Sequence, residues 1–286
     1  MRIALLAACL VSLVLAATAS AATPEPRVTP GSTYLALGDS VSFGYLESQV
    51  VPSPDYTDAS NFRGFPEHAS RALRLRLANA SCPGETSSSL IDADAPSNGC
   101  ENAPGSPNAG YRTVYPLHVK YSGSQLAYAV RFLKRNPRTR LVTLMIGAND
   151  LFRCQATTSD GCASEFPATL ERVKRNVRRI MSDIRRKARY RGQIVLVRYF
   201  SPDYNSAFFT GAVQALNKTA HDAAKPYRVR VADGFGEWRR ASERSGDNPC
   251  TAGLLTQLGE PGRCGVHPSW SGQSLLSQAL IRAIKR

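Results

Sequence analysis

Thr33-Tyr34-Leu35-Ala36-Leu37-Gly38-Asp39-Ser40 is an apolar run that breaks at a glycine and ends on a hydroxyl. A short apolar run closed by a turn residue reads as a buried strand, so residues 33–37 are expected to form the first strand, with Ser40 just beyond its carboxyl end. Upstream, residues 22–31 hold three prolines and no hydrophobic period, which predicts an extended leading segment and a single domain over 32–286. Downstream, Leu73, Leu75 and Leu77 alternate with arginines and predict a second strand. Residues 141–146, 194–199 and 229–232 predict three more.

Between these runs, helical patterning covers 124–135, 165–189 and 211–225, and a last helix is expected over 269–285. Strands alternating with helices give an α/β chain, here a three-layer α/β/α sandwich around a five-stranded parallel sheet. In the 165–189 helix, Val173, Val177, Ile180, Met181, Ile184 and Ala188 recur at helical spacing and should face that sheet. Its arginines and lysines read as a solvated face. No nucleic-acid module or aromatic platform accompanies them, so nucleic acid is not an expected partner.

Residues 1–21 read as a secretory signal peptide: Met1-Arg2, an apolar stretch over 3–17, and the small residues Ala19-Ser20-Ala21. That stretch is shorter than the roughly 20 residues a membrane span needs, and the chain is expected to be secreted. Cys9 leaves with the leader, and six cysteines remain: Cys82, Cys100, Cys154, Cys162, Cys250 and Cys264. An even number in an exported chain predicts disulfides, and pairing sequence neighbours is the simplest of about fifteen connectivities. None of the six forms the close pair that a zinc site uses, and neither metal nor cofactor is expected. The formal charge of +14 falls to +13 once Arg2 is lost. Such a field favours anionic surfaces without identifying one.

The chemistry-bearing residues sit at the element boundaries. Ser40 follows the first strand, at the carboxyl edge where open α/β sheets bind ligands. Cys82-Pro83-Gly84-Glu85-Thr86 follows the second strand, Gly147-Ala148-Asn149-Asp150 the third, and Gly265-Val266-His267-Pro268 precedes the last helix. A hydroxyl attacking an ester carbonyl needs a base for its proton and donors for the oxyanion. Each residue alone has a plainer reading: Ser40 or Asn149 as a helix cap, Gly84 as a turn residue, His267 as a helix-entry residue.

Taken in order, Ser40, Gly84, Asn149 and His267 resemble the four blocks of the SGNH hydrolases, also called the GDSL lipase and esterase family, from Tyr34 to the chain end. The resemblance implies Ser40 as nucleophile, His267 as base, and an oxyanion hole from the N–H groups of Ser40 and Gly84 and the side-chain amide of Asn149. It also implies a flavodoxin-like sheet and a likeness to secreted bacterial members with three disulfides. One position departs from the pattern. The family usually carries an aspartate three residues before the histidine, and here Cys264 stands there. The resemblance to members with a Ser-His dyad suggests that a main-chain carbonyl near Cys264 orients His267. A carboxylate from Asp233, Asp247 or Glu260 is the alternative.

Phe43, Tyr45, Tyr56, Phe62 and Phe65, with Tyr111 and Tyr115, offer either an acyl pocket or ordinary core packing. The expected substrate is a small-molecule or lipid ester, phospholipid included, met by a monomer with peripheral contact to an anionic membrane. Acetylated polysaccharide is the rival substrate. Two non-enzymatic readings remain: a silent exported binding protein, and a binder of acidic polymer through the arginine-rich helix. Labelling of Ser40 by a fluorophosphonate separates the enzyme from both.

Overall fold

The computed structural model describes residues 25–106 and 109–284; the expected leader, 1–21, lies outside them. The first strand, β1 (Thr33–Gly38), is buried along its whole length. It pairs in parallel with β2 (Arg76–Asn79) on one side and β3 (Thr139–Met145) on the other. Then come β4 (Gln193–Val197) and β5 (Arg230–Ala232), in the order β2-β1-β3-β4-β5. Burial on both faces explains why the three central strands, β1, β3 and β4, are largely apolar runs rather than alternations. Tyr34 is fully buried and satisfies its hydroxyl on Thr143 Oγ1 at 2.8 Å.

From β1 the chain moves one way to β2 and then returns across the sheet to β3. That reversal places the topological switch point between β1 and β3, where such sheets open a ligand crevice. Helices α2 (Phe65–Leu73), α8 (Gly234–Ser242) and α9 (Trp270–Ala283) pack on one face. Helices α4 (Gln125–Arg135), α6 (Phe166–Ser182) and α7 (Ala207–Ala224) cover the other. The expected apolar stripe of α6 is buried, and its end winds into a π turn over Asp183–Lys187. The three-layer sandwich and the five parallel strands are as the sequence predicts.

Several boundaries differ. Leu73 closes α2 instead of opening the second strand, because Arg74 turns left-handed and ends the helix there. Helix α7 starts at Ala207, four residues before 211, because Ser206 caps it by accepting from Phe209 N–H at 3.3 Å. Helix α2, helix α5 (Ala148–Thr157) and helix α8 were not anticipated from the sequence. Neither was an antiparallel hairpin of β6 (Leu255–Gln257) and β7 (Cys264–Pro268) outside the main sheet. The disulfides join Cys82 to Cys100, Cys154 to Cys162 and Cys250 to Cys264, the neighbour pairing.

Candidate active site

Ser40 opens the short helix α1 (Ser40–Phe43), directly after β1. Asp39 caps that helix, accepting from Val41 N–H at 3.0 Å and from the Tyr199 hydroxyl. Burial pushes the Asp39 carboxyl up to about 6, against the lowering pull of the Tyr199 hydrogen bond. The backbone before the serine is fixed as well. Gln125 accepts from Gly38 N–H at 2.6 Å and donates back to the Gly38 carbonyl at 3.0 Å.

The same amide of Gln125 donates to Glu85 at 2.9 Å, tying the turn that carries Ser40 to the block after β2. Burial holds Glu85 well above the ordinary carboxyl range, with repulsion from Glu101 adding to it. Gly84 adopts a left-handed φ of 81°, and a side chain there would meet the Asn98 carbonyl oxygen at 2.6 Å. Both facts require glycine. Asp150, in the first turn of α5, accepts from Ser87 N–H and Ser87 Oγ, each at 2.7 Å. The block after β3 is thereby bolted to the block after β2.

Asn98 was not anticipated from the sequence. Its backbone N–H donates to the Gly84 carbonyl at 2.8 Å, and its Nδ2 donates to Asn149 Oδ1 at 3.0 Å. With its oxygen engaged, the Asn149 amide has its N–H groups left for the cleft. Cys100, two residues on, is locked to Cys82, so one disulfide brackets Gly84 and Asn98 together. Among the described residues, Cys82, Glu85 and Cys100 form the one His/Cys/Asp/Glu group compact enough for a metal ion, and its two sulfurs are joined in that bond.

His267 lies on β7, and its orientation differs from both sequence expectations. Neither a carbonyl near Cys264 nor Asp233, Asp247 or Glu260 meets the ring. Glu47 Oε1 sits 2.8 Å from His267 Nδ1. The same oxygen accepts from the N–H groups of Val266 at 2.9 Å and His267 at 3.2 Å, and Thr256 Oγ1 donates to Glu47 Oε2 at 2.6 Å. Desolvation would raise the Glu47 carboxyl, but the hydrogen bond and charge of His267, with Thr256, outweigh it and hold the group down at about 2. A carboxylate on Nδ1 makes that nitrogen the donor, so Nε2 is the one left to accept a proton.

Ser40, Gly84, Asn149 and His267 all line one cleft of about 1280 Å³. Of the aromatic residues picked out in the sequence, Phe43, Phe62 and Phe65 are fully buried core. Tyr45 and Tyr111 do reach the cleft, Tyr45 stacking edge-on against His267 with centroids 4.9 Å apart. Its apolar wall comes from elsewhere: Phe152, Phe166, Phe208, Phe209, Val213 and Leu216. Phe152, Phe208 and Phe209 remain exposed at its mouth.

No curated protein matches the chain in sequence. In fold it is similar to a protein from Parabacteroides merdae described as a GDSL-like lipase, at 15% identity and a TM-score of 0.55, over 91% of this chain and 98% of that one. It is equally similar to Axe2, an acetylxylan esterase from Geobacillus stearothermophilus, at 15% identity and a TM-score of 0.55, over 90% and 96% of the two chains. The sequence profile of the GDSL-like lipase/acylhydrolase family matches residues 36–275. A serine after β1, a glycine after β2, an asparagine after β3 and a histidine before the last helix, gathered on one cleft inside that match, make this chain a member of the GDSL-like lipase/acylhydrolase family.

Proposed function

We propose that the chain is an exported serine hydrolase of carboxylic esters, working through Ser40, His267 and Glu47. Ser40 Oγ attacks the ester carbonyl carbon while His267 Nε2 takes its proton. Glu47 holds Nδ1–H and stabilises the imidazolium that forms. The carbonyl oxygen becomes an oxyanion, met by the N–H groups of Ser40 and Gly84 and by Asn149 Nδ2–H. Collapse expels the alcohol with the proton returned from His267. Water then attacks the acyl-serine by the same route and releases the carboxylic acid.

The observation that carries this reading is the Glu47 to His267 contact of 2.8 Å at the wall of a cleft that also holds Ser40. Three disulfides agree with export. The aromatic and aliphatic wall favours a long acyl chain, as in a lipid or phospholipid ester, over an acetyl group on a sugar. A lone acetyl would leave most of about 1280 Å³ unfilled. A monomer whose exposed Phe208 and Phe209 meet an anionic lipid surface fits this reading.

The test is hydrolysis of nitrophenyl esters of two to sixteen carbons, phosphatidylglycerol and acetylated xylan by the wild type and by Ser40→Ala. The expected result is a rise in kcat/KM toward long chains, all of it lost in Ser40→Ala. Turnover of acetylated xylan alone would replace the lipid assignment, and turnover surviving Ser40→Ala would refute the nucleophile.

A further inference from the structure

At the edge of the sheet opposite the cleft, four of the five strands are entered through the same tripeptide pattern, arginine-any-arginine. Arg74-Leu75-Arg76 leads into β2, Arg138-Thr139-Arg140 into β3, Arg189-Tyr190-Arg191 into β4 and Arg228-Val229-Arg230 into β5. The strand order sets these doublets in a row with β1 between the first two. Neighbouring strands lie about 4.8 Å apart, so the row spans roughly 19 Å from β2 to β5.

Three of the doublets begin on a left-handed residue: Arg74 at φ 54°, Arg189 at 53° and Arg228 at 52°. That is where a chain leaving a helix for a strand ordinarily uses glycine, because a Cβ crowds the following carbonyl oxygen there. They are three of the five non-glycine residues with positive φ among the described residues. Backbone economy alone would not place arginine at all three.

These cations are also short of anions. Residues 69–84 and 116–148 contain no aspartate or glutamate. Among the described residues, Arg74, Arg76, Arg138, Arg189, Arg191 and Arg228 are exposed and have no carboxylate in ion-pairing range. Glu25, laid along this edge, is taken by Arg185 at 3.5 Å and Arg230 at 3.4 Å. Where β1 lacks a doublet the surface dips into a groove of about 480 Å³, lined by Thr33, Arg76, Phe132, Arg135 and Arg138.

We infer that this edge binds an extended linear polyanion bearing phosphate or carboxylate groups, one group seated in the groove and others along the row. Guanidinium forks suit such oxyanions. A lipid bilayer is the poorer occupant, because docking there would aim the catalytic mouth away from the lipid. A polymer tether leaves that mouth free.

The experiment measures binding of the full chain to inorganic polyphosphate, to polyglutamate and to phosphatidylglycerol vesicles across a salt series. The variants are the triple Arg74→Gly, Arg189→Gly, Arg228→Gly, and a control with the same charge change on α6, Arg172→Gln, Arg175→Gln, Arg178→Gln. Glycine suits the three left-handed positions, so the first triple should melt at or above the wild-type temperature and hydrolyse a soluble short-chain ester at the wild-type rate. Its affinity for at least one polymer should fall tenfold or more, with the slope of log K against log salt flatter by about 2, from roughly 0.7 per contact removed. The control should lose less than threefold. Equal losses in the two triples would show net charge alone and overturn the inference, as would wild-type affinity in the first triple. Loss confined to phosphatidylglycerol vesicles would assign the edge to lipid instead and overturn it too.

Discussion

The two halves of the candidate active site are built differently. Ser40, Gly84 and Asn149 stand at the ends of three adjacent parallel strands. Gln125, Glu85, Asp150 and Asn98 tie them together, each making two or more hydrogen bonds in or beside the core. His267 instead rides on a two-stranded hairpin outside the sheet, and one carboxylate, Glu47, accepts both main-chain N–H groups and the ring proton. On the Ser40 side several side chains share the support; on the His267 side the Cys250–Cys264 disulfide holds the hairpin, but Glu47 is the one side chain that hydrogen-bonds the imidazole. Substitutions among the supporting residues should therefore be absorbed in the first half and amplified in the second.

The largest effect is expected at the nucleophile, where Ser40→Ala should lower kcat by about 10⁶ without unfolding the chain. Among supporting residues the base side should be the more fragile. Glu47→Gln keeps the shape but presents a neutral group to Nδ1, and kcat should fall by about 10²–10⁴ with KM little changed. A fall of less than threefold would erase the contrast. Gly84→Ala loses one oxyanion donor as the loop shifts off the Asn98 carbonyl, and about 10²–10³ in kcat is expected to go with it. Asn98→Ala frees the Asn149 amide to rotate but leaves Asp150 and the disulfide in place. Its cost should be about tenfold in kcat, well below that of Glu47→Gln.

The smallest expected effect is in the pH dependence of stability. Glu47 lies near 2 against an ordinary 4.5, so its contribution is full above about 4.5 and is lost as the pH falls through about 2. The melting-temperature gap between the wild type and Glu47→Gln should shrink over that window. Asp39 has the opposite sign. Its carboxyl is raised from 3.8 to about 6, so stability is full below 3.8 and declines as the pH rises through about 6. Melting curves of Asp39→Asn should lack that decline.

The sheet and the four chemical residues were readable from sequence because local rules place them. Apolar runs mark the buried parallel strands, Ser40, Gly84 and Asn149 follow three of them, and the resemblance to the four family blocks adds His267 before the last helix. Glu47 obeys no such rule. It lies seven residues after the nucleophile and 220 before the histidine it serves, and only the folded chain brings the two together. The one local signal is Cys264 in the place of the usual aspartate, which points to a substitute on His267 without saying that it is Glu47 rather than a nearby carbonyl, Asp233, Asp247 or Glu260. Leu73, Leu75 and Leu77 alternate across a helix end and a strand start alike, and only the left-handed Arg74 divides α2 from β2. The apolar wall has no local signal either, because Phe208 and Phe209 come from α7, far in sequence from Ser40.

Covalent capture tests the account most directly. A fluorophosphonate should add once per chain, with peptide mapping placing the adduct on Ser40, and its rate should drop at least a hundredfold in Glu47→Gln. An adduct on another residue, or a rate indifferent to that substitution, would contradict a nucleophile driven by His267 under the hold of Glu47.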